Sequence, residues 1–164
     1  MMDYIYIGKI VNTHGIKGEL RIKSDFERKN IVFRPGFVLY IGKGYVPEKI
    51  ISYRKHKDYD MVTFEGYNNI NQVLNYKQMN VYAKREDLNL ENSEYLLQDL
   101  IGLNVIENSE SLGKVEEIVY NGSSILLYVE AAKNFYIPYN EEYIKKVNLD
   151  SRVIEVNGAK DLIL

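Results

Sequence analysis

The residues best suited to chemistry lie near the amino terminus, in a short glycine-containing loop. Residues 14–18 read His-Gly-Ile-Lys-Gly, and two further cations follow within five positions. An imidazole can donate or accept a hydrogen bond, and lysine or arginine can bind phosphate oxygens. The two glycines allow backbone angles that other residues avoid, so a partner can approach closely. The pattern therefore predicts phosphate binding, and the candidate binding residues are His14, Gly15, Lys17, Gly18, Arg21 and Lys23.

Residues that could support catalysis or hold a metal are sparse elsewhere in the sequence. His14 and His56 are far apart along the chain, and the absence of cysteine excludes disulfides, thiolate nucleophiles and thiolate metal sites. The adjacent pairs Glu116-Glu117 and Glu141-Glu142 diverge on a strand or a helix, so neither can work as a paired acid and base. We therefore expect no catalytic residue, no metal and no cofactor.

Strand patterns flank the loop on both sides. Apolar and polar residues alternate over Tyr4–Val11 and Glu19–Ser24, as they do in a strand with one buried face. Further short strands are predicted at Phe37–Ile41, Val46–Arg54, Met61–Glu65 and Met79–Ala83. One early helix is predicted to begin at Asn69, with Gln72 as its capping-box partner. Many short strands with one small helix favour a closed barrel, because closure removes exposed sheet edges.

The second half has the same organisation. Strands are predicted at Leu103–Ile106, Leu112–Tyr120, Ile125–Val129, Phe135–Ile137 and Val153–Val156. Asn121-Gly122 is a strong hairpin signal, and Glu141–Val147 is predicted to form one or two helical turns. The sequence therefore predicts an all-β chain of two small antiparallel barrels, spanning residues 1–88 and 95–164, with a polar linker at residues 89–94.

Charge is divided unevenly between the halves. Residues 1–57 contain 12 Lys/Arg and 5 Asp/Glu, a net of +7, whereas residues 91–164 contain 6 and 13, a net of −7. This asymmetry favours a polyanionic partner for the first half and a basic partner for the second, although charge drift without function is the alternative. No targeting segment or apolar run of membrane-spanning length is present, so we expect a cytoplasmic protein without a membrane partner.

A second candidate segment opens the second half and reads Tyr-Leu-Leu-Gln-Asp-Leu-Ile-Gly over residues 95–102. Turn chemistry can account for Asp99 as an acceptor of backbone hydrogen bonds, and Leu100 and Ile101 can anchor the barrel. Tyr95 is either a core residue or an interface anchor, because its apolar ring carries a polar hydroxyl.

The glycine loop also has alternative interpretations. Its Gly-Ile-Lys-Gly spacing matches the nucleic-acid loop of KH domains, but that loop joins helices and this one joins strands. The glycines can equally serve only to make the turn, and His14 can serve only to stabilise it by hydrogen bonding.

Residues 8–22, read with Glu94-Tyr95 and the Asp99–Gly102 block, closely resemble the RimM family of ribosome maturation factors. Later blocks are similar as well: Leu112–Val115, Asn121-Gly122, Ile137–Tyr139, Tyr143–Val147, and Val81-Tyr82 with Arg85–Leu88. The resemblance implies a leading barrel like those of translation factors and reductases, followed by a PRC-barrel domain.

The resemblance also implies a function. Such a factor is non-catalytic, binds free precursors of the small ribosomal subunit, and promotes maturation of the subunit head and processing of its rRNA. Its expected partners are small-subunit rRNA and a basic head protein of the uS19 type, and we expect it to act as a monomer. The implied protein-binding residues are Tyr95, Leu96, Asp99 and Leu100. The family has two consecutive tyrosines, a tryptophan and a histidine where this chain has Tyr95, Leu96, Leu97 and Gln98.

Two other functions remain open at this point. A flavin- or nucleotide-dependent enzyme is one, because the leading barrel also resembles reductase domains. A general RNA-binding module without a protein partner is the other. Cofactor binding by the purified protein would favour the enzyme, and failure of the second half to bind small-subunit head proteins would favour the RNA-binding module.

Overall fold

The computed structural model describes residues 3–163, which form two compact, almost entirely β units that divide after Glu94. The strands of the first unit are β1 (Tyr4–His14), β2 (Glu19–Lys23), β3 (Val38–Ile41), β4 (Val46–His56), β5 (Tyr59–Phe64) and β6 (Asn80–Lys84). They close into a barrel in the order β1-β2-β5-β4-β3-β6, and each pairing is antiparallel. The closed barrel predicted for the first half is confirmed.

The interior of the first barrel is filled by the inward-facing residues of these strands. Fully buried members include Ile5, Ile10, Leu20, Ile22, Leu39, Ile50 and Phe64. On β2, the side chains of Leu20 and Ile22 point inward while the side chain of Lys23 is exposed to solvent. The alternation seen in the sequence therefore places the cations of β2 on the outside of the barrel.

Strand β1 bends so that it can pair with both β2 and β6. Its register shifts at Gly8 on the β6 side and between Ile10 and Asn12 on the β2 side. A Cβ at Gly8 would lie 2.4 Å from the backbone oxygen of Lys23, so only glycine fits at this close approach.

The helix predicted from Asn69 is shorter than expected. Two 3-10 turns, Ile70–Gln72 and Leu74–Tyr76, occupy the segment. The capping box is confirmed, because Asn69 Oδ1 accepts the N–H of Asn71 and Gln72 Oε1 accepts the N–H of Asn69. A short helix, α1 (Lys29–Val32), was not predicted.

The second unit is one six-stranded sheet in the order β10-β9-β8-β7-β12-β11. Its strands are β7 (Asn104–Glu107), β8 (Glu110–Asn121), β9 (Ser124–Glu130), β10 (Phe135–Pro138), β11 (Ile144–Asn148) and β12 (Val153–Val156). Pairing is antiparallel except between β12 and β7, which are parallel. The prediction of a fully antiparallel second barrel was therefore wrong for this pair of strands. Its core includes Leu100, Val105, Leu127, Ile137 and Ile154.

The helical turns predicted over Glu141–Val147 were also wrong, because residues 144–148 form β11. The register of β11 shifts between Ile144 and Lys146, which is the signature of a bulge. Ile144 and Val147 both pack against the core although they are three residues apart. The bulge therefore produced a helix-like spacing in a strand.

No helix within residues 3–163 is long and apolar enough to cross a membrane.

Candidate functional site

The glycine loop joins β1 to β2 and is held in place by a hydrogen bond from the first 3-10 turn. Gly15 and Gly18 have φ values of +72° and +93°, in the left-handed region that favours glycine. The N–H of Ile70 donates to the carbonyl of Ile16 at 2.9 Å, which ties the loop to the first 3-10 turn. Lys17 is exposed on this anchored loop, so its ammonium group is available to solvent and to a partner.

Pairing of β1 with β2 brings three of the predicted residues together. Arg21 Nη2 lies 2.8 Å from His14 Nδ1, and a guanidinium can only donate, so the imidazole nitrogen accepts this bond. The guanidinium carbon of Arg21 lies 5.1 Å from the ring centroid of Tyr59. Lys23 Nζ lies 5.9 Å from the same ring. The aromatic ring therefore supports both cations of β2 by cation–π contact.

The β4–β5 hairpin supplies residues that the sequence analysis missed. The imidazole rings of His56 and His14 lie 5.5 Å apart. Arg54 donates two hydrogen bonds to the carboxylate of Glu19, at 2.9 and 2.8 Å. Only the strand order β1-β2-β5-β4 brings this hairpin beside β2, and no local sequence signal reveals that neighbourhood. We name His14, Arg21, Lys23, Arg54 and His56 the cationic cluster.

The electrostatics of the cluster follow from its positive charge. Partial burial lowers the pKa of His56, and the neighbouring Arg54 and His14 side chains lower it further. The hydrogen bond from Arg54 lowers the pKa of the Glu19 carboxyl, which stays ionised beside the cluster. Arg21 Nε is buried and has no hydrogen-bond partner among the described residues. The arrangement presents donors and cations to an anion, and it contains no nucleophile activated by a base.

The second candidate segment forms the 3-10 turn Leu97–Leu100 at the start of the second unit. Asp99 Oδ2 accepts the N–H of Leu96 at 2.8 Å, as the turn interpretation predicted. Tyr95 is half-buried against the core, and its hydroxyl oxygen lies 2.5 Å from that of Tyr139. Tyr95 therefore combines a core contact with a partly accessible ring.

Comparison with known proteins settles the family. Residues 5–88 match the model of the RimM N-terminal domain, and residues 97–162 match that of the RimM PRC barrel domain. This chain belongs to the RimM family. The resemblance drawn from the sequence is confirmed, as is the PRC-barrel domain that it implied for the second half.

Curated relatives in the RimM family match end to end. The ribosome maturation factor RimM of Staphylococcus haemolyticus is 36% identical, covering 97% of this chain and 98% of its own. That of Bacillus cereus is 34% identical, covering 99% and 100%. Among solved structures, the N-terminal domain of RimM from Thermus thermophilus covers 54% of this chain and 98% of its own, with 19% identity and a TM-score of 0.46.

Two of the residues predicted to contact a protein partner, Leu96 and Leu100, are buried in the structure. Leu96 and Leu100 are both 0% exposed, so neither side chain offers surface to a protein partner. Leu100 is instead part of the core of the second unit. Ile101, predicted as a buried anchor, is 46% exposed and is the accessible apolar side chain of this segment. Tyr95, Asp99 and Ile101 therefore keep accessible surface in this segment.

Proposed function

We propose that this chain is a non-catalytic ribosome maturation factor that binds free precursors of the small subunit and promotes head maturation and rRNA processing. The observation that carries the proposal is the match, over nearly the whole chain, with relatives named ribosome maturation factors. Opposite net charges in the two halves, +7 for residues 1–57 and −7 for residues 91–164, support separate anionic and basic partners.

The first unit is the proposed rRNA-binding part. Lys17 on the loop, with Arg21 and Lys23 on β2, binds phosphates, and Gly15 and Gly18 let the backbone approach closely. His14 holds the guanidinium of Arg21 in place through the 2.8 Å hydrogen bond. Arg54 is half exposed and neutralises Glu19, which keeps the carboxylate from repelling RNA.

The second unit is the proposed protein-binding part, and its partner is a basic head protein of the uS19 type. Tyr95 supplies a partly accessible ring, Ile101 supplies exposed apolar surface, and the acidic surroundings attract a positively charged partner. Asp99 shapes the turn through its bond to the N–H of Leu96. We propose that the factor acts as a monomer in the cytoplasm.

Co-sedimentation of the tagged full-length chain with small-subunit precursors tests the protein-binding part. Tyr95→Ala should abolish co-sedimentation and binding to the purified head protein, while thermal unfolding stays cooperative. Tyr136→Ala is the matched control, because Tyr136 is a 50% exposed tyrosine on β10 of the same unit. Equal binding by Tyr95→Ala and the control would show that Tyr95 is not part of the interface. Replacing buried Leu96 is unsuitable here, because the cavity alone would cost about 2–5 kcal/mol.

The RNA-binding part is tested by salt dependence. Lys17→Glu should weaken binding to small-subunit rRNA and flatten the plot of log affinity against log salt concentration, because each phosphate contact contributes a slope of about 0.7–0.9. Lys133→Glu, an exposed charge reversal in the acidic unit, is the control and should change neither. An unchanged slope for Lys17→Glu would exclude the loop from the RNA surface.

Affinity capture followed by mass spectrometry separates the proposal from its alternatives. A maturation factor should enrich the uS19-type head protein together with precursor rRNA. Recovery of RNA without head proteins would favour a general RNA-binding module. Turnover of any substrate, or the binding of a flavin or nucleotide cofactor, would overturn the non-catalytic assignment.

A further inference from the structure

Five tyrosines gather on the outer face of the first barrel, away from the glycine loop. Across β1, β6 and β3, Tyr6 pairs with Tyr82 and Tyr82 pairs with Tyr40, which forms one row of rings. Tyr4 precedes this row on β1, and Tyr45 is the last residue of the β3–β4 turn. We name Tyr4, Tyr6, Tyr40, Tyr45 and Tyr82 the tyrosine face.

The rings of the tyrosine face contact one another in a continuous chain. Tyr4 and Tyr45 are stacked with centroids 4.0 Å apart and an interplanar angle of 11°. Tyr45 meets Tyr82 edge-on at 5.0 Å, and Tyr82 meets Tyr6 edge-on at 6.0 Å. Tyr6 is 45% exposed and Tyr45 is 37% exposed. The rings are thus ordered by their neighbours and remain accessible to a partner.

Tyr45 occupies a backbone conformation that is unfavourable for a large side chain. Its φ is +50°, in the left-handed region, and it ends the turn Gly42-Lys43-Gly44. Bulky residues rarely adopt this region, and strained residues of this kind cluster at binding sites. The strain places an aromatic ring where the turn itself would be better served by glycine or asparagine.

Two lysines lie beside the tyrosine face. Lys84 pairs with Tyr4 across the β1–β6 ladder, and its Nζ lies 5.2 Å from the ring centroid of Tyr40. Beside Tyr82 lies a groove of about 510 Å³, lined by Lys43, Asn75, Gln78, Met79 and Asn80 among others. Burial chiefly raises the pKa of the Tyr6 hydroxyl, with smaller contributions from Tyr82 and Asp25. The neighbouring Tyr40 chiefly raises the pKa of Lys84, with a smaller contribution from Glu86, so two carboxylates also lie near this face.

We propose that the tyrosine face is a stacking surface for unpaired nucleotides. The inference rests on the proposed rRNA-binding function and adds the structural class of RNA that is bound. Accessible rings beside lysines fit single-stranded RNA, because bases stack on the rings while ammonium groups bind the phosphates. Paired bases are already stacked within a duplex, so a duplex cannot use such a surface. The Asn and Gln amides of the groove can hydrogen-bond an inserted base edge.

Fluorescence anisotropy with the full-length chain tests the proposal. The probe is a labelled eight-nucleotide RNA of mixed sequence, used either single-stranded or annealed to its complement. Tyr45→Asn and Tyr82→Leu should each weaken single-strand binding about tenfold and leave duplex binding unchanged. Tyr45→Phe and Tyr82→Phe should restore affinity, because the ring is kept. Asparagine tolerates a left-handed φ, so Tyr45→Asn should stay folded, and Tyr6→Leu repeats the test on another exposed ring.

Controls separate this inference from the proposed function. Tyr136→Leu removes a ring from the acidic unit, 4.8 Å from the ring of Tyr128, and should not affect RNA binding. If Lys17→Glu weakens binding but the tyrosine-face variants do not, the stacking surface is wrong and the rRNA function stands. If the wild-type chain binds neither the single strand nor the duplex, the stacking surface is wrong, and if it also fails to bind small-subunit rRNA, the rRNA function is wrong as well. If the tyrosine-face variants lose a protein partner at unchanged RNA affinity, the face is a protein-docking surface and the inference is overturned.

Discussion

Arg21 and His14 are joined by a hydrogen bond, with Nη2 of the guanidinium 2.8 Å from Nδ1 of the imidazole. Because the guanidinium only donates, the bond fixes the neutral imidazole as the tautomer that carries its proton on Nε2. The ring of Tyr59, 5.1 Å from the guanidinium carbon, restrains Arg21 further. The cation is thus ordered before an anion arrives, which lowers the entropy cost of binding.

His14→Ala should separate positioning from charge. Loss of the hydrogen bond to Arg21 is expected to weaken RNA binding about two- to tenfold, because one hydrogen bond contributes a net free energy of about 0.5–1.5 kcal/mol. The salt slope should stay constant because the charge remains. Arg21→Met should lower both the affinity and the slope, by about one phosphate contact. Titrations of labelled rRNA fragments at several salt concentrations measure both quantities. A reduced slope for His14→Ala would show that the imidazole itself binds RNA, contrary to a positioning role.

The sequence predicted the residues of the cationic cluster that lie on one hairpin, and it missed those that need the barrel. Alternation on β2 placed Leu20 and Ile22 inward and Lys23 outward, as the structure has them. Arg54 and His56 lie more than thirty residues away and reach the cluster through the order β1-β2-β5-β4. No local pattern encodes that order, because it depends on how the whole barrel closes.

The second unit illustrates a different limit of sequence interpretation. Leu96 and Ile101 are both large and apolar, so composition alone cannot rank their burial. The structure buries Leu96 completely and leaves Ile101 46% exposed. The two residues flank the 3-10 turn Leu97–Leu100, and Asp99 accepts the N–H of Leu96 at its start. The Asp-Leu-Ile-Gly block predicted a turn correctly, but it did not predict which leucine or isoleucine would remain accessible.

Asp60 should be a strong determinant of stability in the first barrel. Its side chain is fully buried, Oδ1 accepts the hydroxyl of Tyr53 at 2.7 Å, and Oδ2 lies 2.8 Å from Lys29 Nζ. Asp60→Asn would place an amide beside the ammonium group and should lower the free energy of unfolding by about 1–3 kcal/mol. Asp58→Asn, at an exposed neighbouring site, should change it by less than about 0.5 kcal/mol. Urea titrations at constant m-value measure both, and equal midpoints for the two variants would contradict the assignment.

Gly8→Ala should destabilise the first barrel by obstructing the approach of β1 to β2. The new Cβ would lie 2.4 Å from the carbonyl oxygen of Lys23, so the backbone must shift, at a cost of about 1–3 kcal/mol. Gly44→Ala is the matched control, because its Cβ would meet only Val46 Cγ2, at 3.9 Å. Thermal unfolding should show a lower midpoint for Gly8→Ala and little change for Gly44→Ala. A wild-type midpoint for Gly8→Ala would show that β1 can move away from β2 without loss of packing.

The Glu19–Arg54 pair should make a pH-dependent contribution to stability. The hydrogen bond from Arg54 lowers the pKa of Glu19, so the pair stabilises the fold above the unfolded pKa of about 4.5, and this contribution is lost as the pH falls through the lowered folded value. Glu19→Gln should therefore cost up to about 1 kcal/mol at pH 7, and the difference from wild type should vanish near pH 2–3.

His56 acts in a different pH window and provides the internal control for that experiment. Its pKa is lowered, chiefly by burial, so protonation is disfavoured in the folded state, and stability falls as the pH drops below the unfolded value of about 6.5. His56→Gln should remove this loss between neutral pH and about pH 5 while leaving the Glu19 effect below about pH 4.5 in place. Urea unfolding at pH 7, 5.5, 4 and 3 separates the two contributions. A difference between Glu19→Gln and wild type that persists unchanged at pH 3 would show that the ion pair is not its source.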